Sequence, residues 1–335
     1  MKLFLTLEDG TTKDVHFPPA VLDGLKSLGE LVVNDTGHKL TSHELAAYMP
    51  DVDVCVTHWG APRFDEEVLA AADKLKVIAH AAGSVATIAT DAAYRRGIHV
   101  LSANNIMATR VAEAALGHMI AGGRFFHEYW ADIRAGGWDA ARYPMFSLYG
   151  AHISLIGLGT IGRILLEHLK PFSSMVRIYD PYITPESLSA LPFASLCSLD
   201  EALAFGDIVS LHASLTKETY HMLTREKLAL IREGSLLINT ARGAVIDEDA
   251  LIEALAAGRI RALLDVFETE PPPPDSPLRH MPNVVLQPHT AGATAGADMT
   301  VGIIEDLRRW QRGEPFTLEV SHTQFSRMTD ESIWR

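Results

Sequence analysis

Residues 152–180 read HISLIGLGTIGRILLEHLKPFSSMVRIYD, and three local patterns succeed one another inside that stretch. His152 to Ile156 has the β-branched, apolar content of a buried strand. Gly157, Gly159 and Gly162 follow directly, and RILLEHLK then takes up helical spacing. In a strand, loop and helix so arranged, each glycine has its own task. The first permits the tight turn, the second lets the backbone approach a pyrophosphate, and the third allows helix and strand to close up. The helix start then offers unpaired N–H groups to the anion. The stretch ends on Asp180, 18 residues after Gly162. A carboxylate there can accept from both hydroxyls of an adenosine ribose and repels a 2′-phosphate, which favours NAD over NADP. Its plainer reading is a turn acid before Pro181.

Outward from this stretch, β-branched runs alternate with Ala/Leu-rich helical patterns, the mark of α/β layering on mostly parallel sheets. Six strand candidates form the later series: His152 to Ile156, Met175 to Tyr179, Asp207 to Leu211, Ser235 to Asn239, Arg261 to Phe267 and Asn283 to Gln287. An earlier series comprises Val32-Val33, the alternating Val52, Val54 and Val56, Val77 to Ala79, and Ile98 to Val100, with helices at Asp65 to Lys74 and Asp91 to Arg96. Between the two series, Ala108 to Phe126 follows helical spacing. An irregular arm with Gly136-Gly137-Trp138 and Tyr143-Pro144 comes next and is a place for subunit contact. The last helical pattern, Thr294 to Arg312, has no strand after it and is expected to return to the first domain.

The chain has 335 residues, enough for two independent cores. Its net charge of −13 lacks the basic excess that nucleic acid and anionic membrane surfaces select. No uncharged run is a credible membrane helix, since the longest, Tyr143 to Gly162, holds Pro144, His152 and several glycines. Two cysteines, Cys55 and Cys197, give neither a disulfide framework nor a metal spacing. With acids at Glu8 and Asp9, the first residues do not read as an export signal. A cytoplasmic protein without a metal is the expectation.

Three further groups fall beyond strand ends, where open parallel sheets bind ligands: Arg242 in NTARGAVIDEDAL, Glu270 in DVFETEP and His289 in QPHTAG. Taken singly they read as a salt-bridge arginine, a loop acid and a strand-end histidine. Together they suit reduction of a 2-oxo acid, in which the carbonyl oxygen gathers negative charge and needs a proton. Protonated His289 is the natural acid, and a neighbouring carboxylate such as Glu270 favours its charged form. The planar fork of Arg242 can hold a carboxylate and polarise a carbonyl.

In these motifs the sequence resembles the D-isomer-specific 2-hydroxyacid dehydrogenase family, over about Trp59 to Gly302. The resemblance implies two Rossmann-like, doubly wound parallel-sheet α/β domains with NAD in a cleft between them, usually as a homodimer. Residues 1–104 and 289–335 would form a discontinuous substrate domain, and 105–288 the NAD-binding domain. The family's catalytic Arg, Glu and His fall on Arg242, Glu270 and His289. Thr160 and Ile161 are expected at the pyrophosphate, Leu211, His212 and Ala213 at the adenosine half, and Thr240 and Ala241 on the nicotinamide side. Asp265 is expected to accept from the nicotinamide carboxamide. Ser214 stands where the family usually has Pro. In the substrate domain, Ala82, Gly83 and Ser84 are expected to present N–H groups to the substrate carboxylate. The acidic segment that usually follows is here Ala86 to Thr90, with Asp91 nearby. Trp59, Asn105 and Arg110 are candidates for the border of the same pocket.

The function expected is hydride transfer between a nicotinamide and C2 of a small anionic 2-hydroxy or 2-oxo acid. The competing reading is an NADH-responsive, corepressor-like regulatory protein on the same fold.

Overall fold

The computed structural model describes residues 1–330 and divides into two compact units. Unit 1 is Met1–Met107 together with the chain from Thr294 onward, and unit 2 is Ala108–Ala293. The divisions thus fall at 107/108 and 293/294 rather than at 104/105 and 288/289. His289 stays with unit 2 because hydrogen bonds tie its loop to Asp265.

Unit 1 holds five parallel strands: β1 (Lys2–Leu5), β2 (Glu30–Val33), β3 (Val54–Thr57), β4 (Val77–His80) and β5 (His99–Ser102), in the order β2-β1-β3-β4-β5. Side chains alternate across a strand. Leu3, Leu5, Val54, Val56, Val77 and Ala79 therefore enter one core, and Phe4, Cys55 and Ile78 enter the other. Both faces are covered, which is why these strands read as unbroken apolar runs. The helix Asp298–Gln311 contributes Met299, Ile303 and Leu307 to the first of those cores, so the end of the chain belongs to unit 1.

Unit 2 has seven parallel strands: β6 (His152–Ile156), β7 (Met175–Tyr179), β8 (Ala194–Leu196), β9 (Ile208–Leu211), β10 (Leu236–Asn239), β11 (Arg261–Leu264) and β12 (Val284–Leu286). Their order is β12-β11-β10-β9-β6-β7-β8. Sheet growth reverses at β6, which leaves a crevice beyond the carboxyl ends of β6 and β9. Again two cores form, with Val209, Leu211 and Leu237 on one side and Ile208, Leu236 and Ile238 on the other.

Two strands escaped the sequence reading. β1 carries a short apolar run, the buried Leu3, Phe4 and Leu5, that was passed over, whereas β8 is a three-residue edge strand with no fully buried side chain and so no strong apolar signal. The arm from Gly136 to Pro144 is irregular, as expected, and a short helix precedes it. Residues Phe126–Arg134 form a helix with no buried residue, on which Phe126, Trp130 and Ile133 recur at helical spacing as an exposed apolar stripe. Among the described residues no helix is long and apolar enough to cross a membrane.

Candidate active site

The glycine loop sits where sheet growth reverses. The carbonyl of Ile156 accepts from His212 N at 2.8 Å, which draws the ends of β6 and β9 together. Gly157 follows at φ +99°, and a Cβ there would lie 2.7 Å from Ala213 N. A Cβ on Gly162 would stand 2.5 Å from the Gly157 carbonyl oxygen, whereas one on Gly159 would meet only open space. Two glycines thus close the turn and the third leaves an approach to bare backbone. Thr160 and Ile161 open the helix Thr160–Leu169, where first-turn N–H groups have no intrahelical acceptor. Asp180 ties the loop to the end of β7: its Oδ2 accepts from Leu158 N at 2.7 Å and its Oδ1 from Tyr182 N at 2.9 Å.

Two buried polar groups of unit 2 have no hydrogen-bond partner among the described residues. His212 is buried, and its Nε2 meets Ser210 Oγ at 3.0 Å, but Nδ1 has no partner among the described residues. Burial pushes its pKa down to about 4. The buried Thr240 hydroxyl is likewise unpartnered. Leu211, by contrast, is wholly within the core, so its side chain serves packing, and Ala213 supplies backbone against Gly157.

Beyond β10 the chain turns sharply. Asn239 holds the turn by accepting from Ala241 N at 3.0 Å and donating to the Arg242 carbonyl at 3.0 Å, while Arg242 Nη1 donates to the Ala241 carbonyl at 2.7 Å. Gly243 comes next, and a Cβ there would stand 1.8 Å from the Phe267 carbonyl carbon. Only a residue without a side chain lets the Arg242 turn lie against the loop that follows β11.

That second loop carries Glu270. Its Oε1 accepts from Phe267 N at 3.0 Å, and its Oε2 accepts from His289 Nδ1 at 2.8 Å. Burial works to raise the Glu270 carboxyl, but the bonds from His289 and Phe267, with the charges of His289 and Arg242, hold it net below its ordinary value. Once Nδ1 is committed to Glu270, His289 Nε2 has no partner among the described residues, and its half-exposed ring presents that nitrogen outward.

His289 itself is held in the left-handed region at φ +53°, unusual for a residue with a side chain. Asp265 is the clamp. Its backbone carbonyl accepts from His289 N at 2.8 Å, and its buried carboxylate accepts from Thr290 N at 2.7 Å and Ala291 N at 2.9 Å. Three loops, after β10, β11 and β12, thus bring Arg242, Glu270 and His289 to one rim.

Residues 116–291 match the model of the D-isomer specific 2-hydroxyacid dehydrogenase, NAD binding domain, more than half of the chain. The chain belongs to the D-isomer specific 2-hydroxyacid dehydrogenase family. It is 37% identical over 295 residues to D-3-phosphoglycerate dehydrogenase of Methanocaldococcus jannaschii, covering 87% of this chain and 56% of that one. It is 38% identical over 288 residues to glyoxylate reductase of Thermofilum pendens, covering 84% of each. A solved glyoxylate reductase from Paecilomyes thermophila superposes with a TM-score of 0.77 at 26% identity, over 96% of this chain and 98% of that one. The chain spans about half the length of the phosphoglycerate dehydrogenases that it matches.

In this member of the D-isomer specific 2-hydroxyacid dehydrogenase family, the substrate-carboxylate candidates lie in unit 1, after β4. Ser102 Oγ donates to the Ala82 and Gly83 carbonyls at 3.3 and 2.5 Å, and the Ser84 hydroxyl donates to the Thr329 carbonyl at 2.6 Å. Their three N–H groups have no acceptor among the described residues, as an anion-binding nest requires. The loop departs from the family's acidic pattern in Ala86 to Thr90.

Sequence reasoning passed over Asn239, the steric need for Gly243 and the clamping task of Asp265. Gly243 carried a signal, a glycine directly after a strand-end arginine. For Asp265, spacing said nothing of which backbone would face it.

Proposed function

We propose that this chain is an NAD-dependent D-2-hydroxyacid dehydrogenase that interconverts a small anionic 2-hydroxy acid and its 2-oxo partner. The observation that carries the reading is the 2.8 Å bond from His289 Nδ1 to Glu270 Oε2, which leaves Nε2 presented outward. Features of unit 2 fit the dinucleotide: open space at Gly159, the unpartnered His212 Nδ1 and Thr240 hydroxyl, and a strand-end carboxylate at Asp180. Gly157, Gly159, Thr160, Ile161 and Gly162 would hold the pyrophosphate, and Asp180 the ribose. His212 with Ala213 would border the adenosine half, and Thr240, Ala241 and Asp265 the nicotinamide. Hydride donation to C2, or its removal, is the chemistry that NAD supplies when bound.

The chain's own groups handle the proton and the charge. In the reductive direction, protonated His289 gives its Nε2 proton to the substrate oxygen, and Glu270 stabilises the imidazolium through Nδ1. In the oxidative direction, neutral His289 takes the hydroxyl proton back. Arg242 holds the substrate carboxylate and polarises the carbonyl; within unit 1, Ala82, Gly83 and Ser84 remain the proposed N–H donors to an anion.

Purified chain with NADH and glyoxylate, hydroxypyruvate, pyruvate or 2-oxobutyrate tests the reading. Oxidation of NADH with at least one acid is expected. Nucleotide binding without turnover on any of them would favour the regulatory reading instead. We also propose a homodimer, supported by Phe126, Trp130, Ile133, Trp138, Met145 and Tyr149, all exposed in one short stretch of unit 2. A reducing, cytoplasmic setting accords with two cysteines that are both free.

A further inference from the structure

Arg242 and Glu270 stand on separate loops, after β10 and β11, so whatever fixes those loops to each other decides how the two side chains face one substrate. Gly243 lets the loops touch, since a Cβ there would lie 1.8 Å from the Phe267 carbonyl carbon and 2.2 Å from Glu268 N. Close approach alone leaves them free to slide. A third segment, residues 220–223 in the connection that follows β9, spans the contact. Leu223 is bridged to Ile246 in parallel register. Its N–H donates to the Val245 carbonyl at 3.1 Å, and its carbonyl accepts from Asp247 N at 3.2 Å.

His221 reaches both loops. Its backbone N–H donates to the Ala244 carbonyl at 2.8 Å, just past Arg242. Its ring Nε2 donates to Glu268 Oε1 at 2.9 Å, just before Glu270. Like His289, it holds a left-handed backbone, at φ +47°, which a residue with a side chain rarely adopts. Backbone strain of this kind persists where the surroundings over-determine it, and it gathers at functional sites. Tyr220 stacks on the imidazole with centroids 4.0 Å apart and planes 13° from parallel, which restricts rotation of the ring.

Glu268 is held at two points. Its N–H donates to Glu248 Oε2 at 3.0 Å, at the start of the helix Glu248–Ala256, and its own carboxylate accepts from His221. Phe267, the residue before it, donates its N–H to Glu270 Oε1 at 3.0 Å, and Glu270 Oε2 accepts from His289 Nδ1. A fixed Glu268 therefore fixes the direction in which Phe267 presents its N–H, and with it the seat of Glu270. The side chains of His221 and Glu268 are 30% and 31% exposed, and a pair so placed adds little to overall stability. Its effect is on geometry.

We propose that His221 is a positioning residue, which ties the Arg242 turn to the Glu270 loop through Ala244 and Glu268 and so keeps Glu270 seated on His289. The role rests on the dehydrogenase reading for the reaction that it serves. His221→Asn suits the left-handed backbone but is too short to reach Glu268. In the full chain, the Phe267 and Glu268 amides are expected to exchange with deuterium about fivefold faster in this variant. With the most active 2-oxo acid, kcat/KM is expected to fall about tenfold with NADH affinity unchanged. His221→Gln, whose amide nitrogen can take the place of Nε2, restores most of both. Because His221 acts through Glu270, its loss should shrink to about twofold in a Glu270→Gln background, whereas a general loosening of the fold would cost the same in either. Glu268→Ala removes the same bond and reads the same effects should His221→Asn fail to fold. Unchanged exchange, or an equal loss in both backgrounds, would overturn the positioning role. Exchange that depends on His221 in a chain that turns over no acid would sustain the tie between the loops and refute the dehydrogenase. Turnover indifferent to His221 would do the reverse.

Discussion

Glu270 does its work through one oxygen. With Oε1 anchored on Phe267 N, Oε2 fixes the His289 ring and which of its nitrogens faces outward. Glu270→Gln keeps the shape and removes the charge, so kcat/KM is expected to fall by about a hundredfold with NADH affinity unchanged. Equal kcat/KM in steady-state assays of the two proteins would show that Glu270 is a loop acid only. The lowered Glu270 pKa also gives the sign of a stability effect. Its contribution is present above the unfolded carboxyl value of about 4.3 and is lost as pH falls through the lower folded value. The stability gap between wild type and Glu270→Gln should therefore close in acid, as read by urea unfolding. If Asp180 also faces the ribose, as proposed, Asp180→Ala should narrow the preference for NAD over NADP by about tenfold. An unchanged ratio in parallel cofactor titrations would leave Asp180 as a tether for Leu158 and Tyr182 only.

At the scale of elements, the site depends on loops pressed against loops. The turn after β10 lies so close to the loop after β11 that a methyl group on residue 243 would overlap the Phe267 carbonyl. Neither partner is a flexible side chain that could give way. Gly243→Ala should lower stability by about 3 kcal/mol, and in the folded fraction the displaced Arg242 should lower kcat/KM by about a hundredfold. Thermal unfolding and active-site titration separate the two effects. A variant with wild-type stability would mean that the two loops can part freely. The clamp at Asp265 follows the same logic: one strand-end carboxylate holds two successive N–H groups, and so imposes the left-handed backbone of His289.

Across the whole molecule, buried histidines make the fold acid-sensitive. Burial holds His58 and His80 at about 3 and His212 at about 4. The unfolded chain takes up a proton on each below about pH 6.5, and the folded chain does not. Their contribution is therefore full above pH 6.5 and declines as pH falls toward the folded values, by up to about 1.4 kcal/mol per pH unit for each group. Urea midpoints should drop steadily from pH 7 to pH 5, and His80→Gln should flatten the slope. A midpoint constant over that range would contradict the burial assigned to these rings. The exposed arm bears on assembly. Trp130→Glu with Ile133→Glu should convert a dimer to a monomer in sedimentation velocity, and an unchanged coefficient would place the subunit contact elsewhere.

Parallel-sheet α/β layering was legible in the sequence because strands buried on both faces are continuous apolar runs, and the cofactor loop because its glycines stand between a strand and a helix. Arg242, Glu270 and His289 were legible through their chemical types and their places at strand ends. The β8 edge strand was not, since it buries too little apolar surface to mark the sequence, and the helix at Phe126–Arg134 was passed over although Phe126, Trp130 and Ile133 recur at helical spacing. Tertiary structure alone decided that Asp265 serves the His289 loop, that residue 243 must lack a side chain, and that His221 reaches both Ala244 and Glu268. Hydrophobic periodicity records which residues leave water, whereas those three facts depend on which backbone atoms distant segments bring within hydrogen-bonding or van der Waals reach.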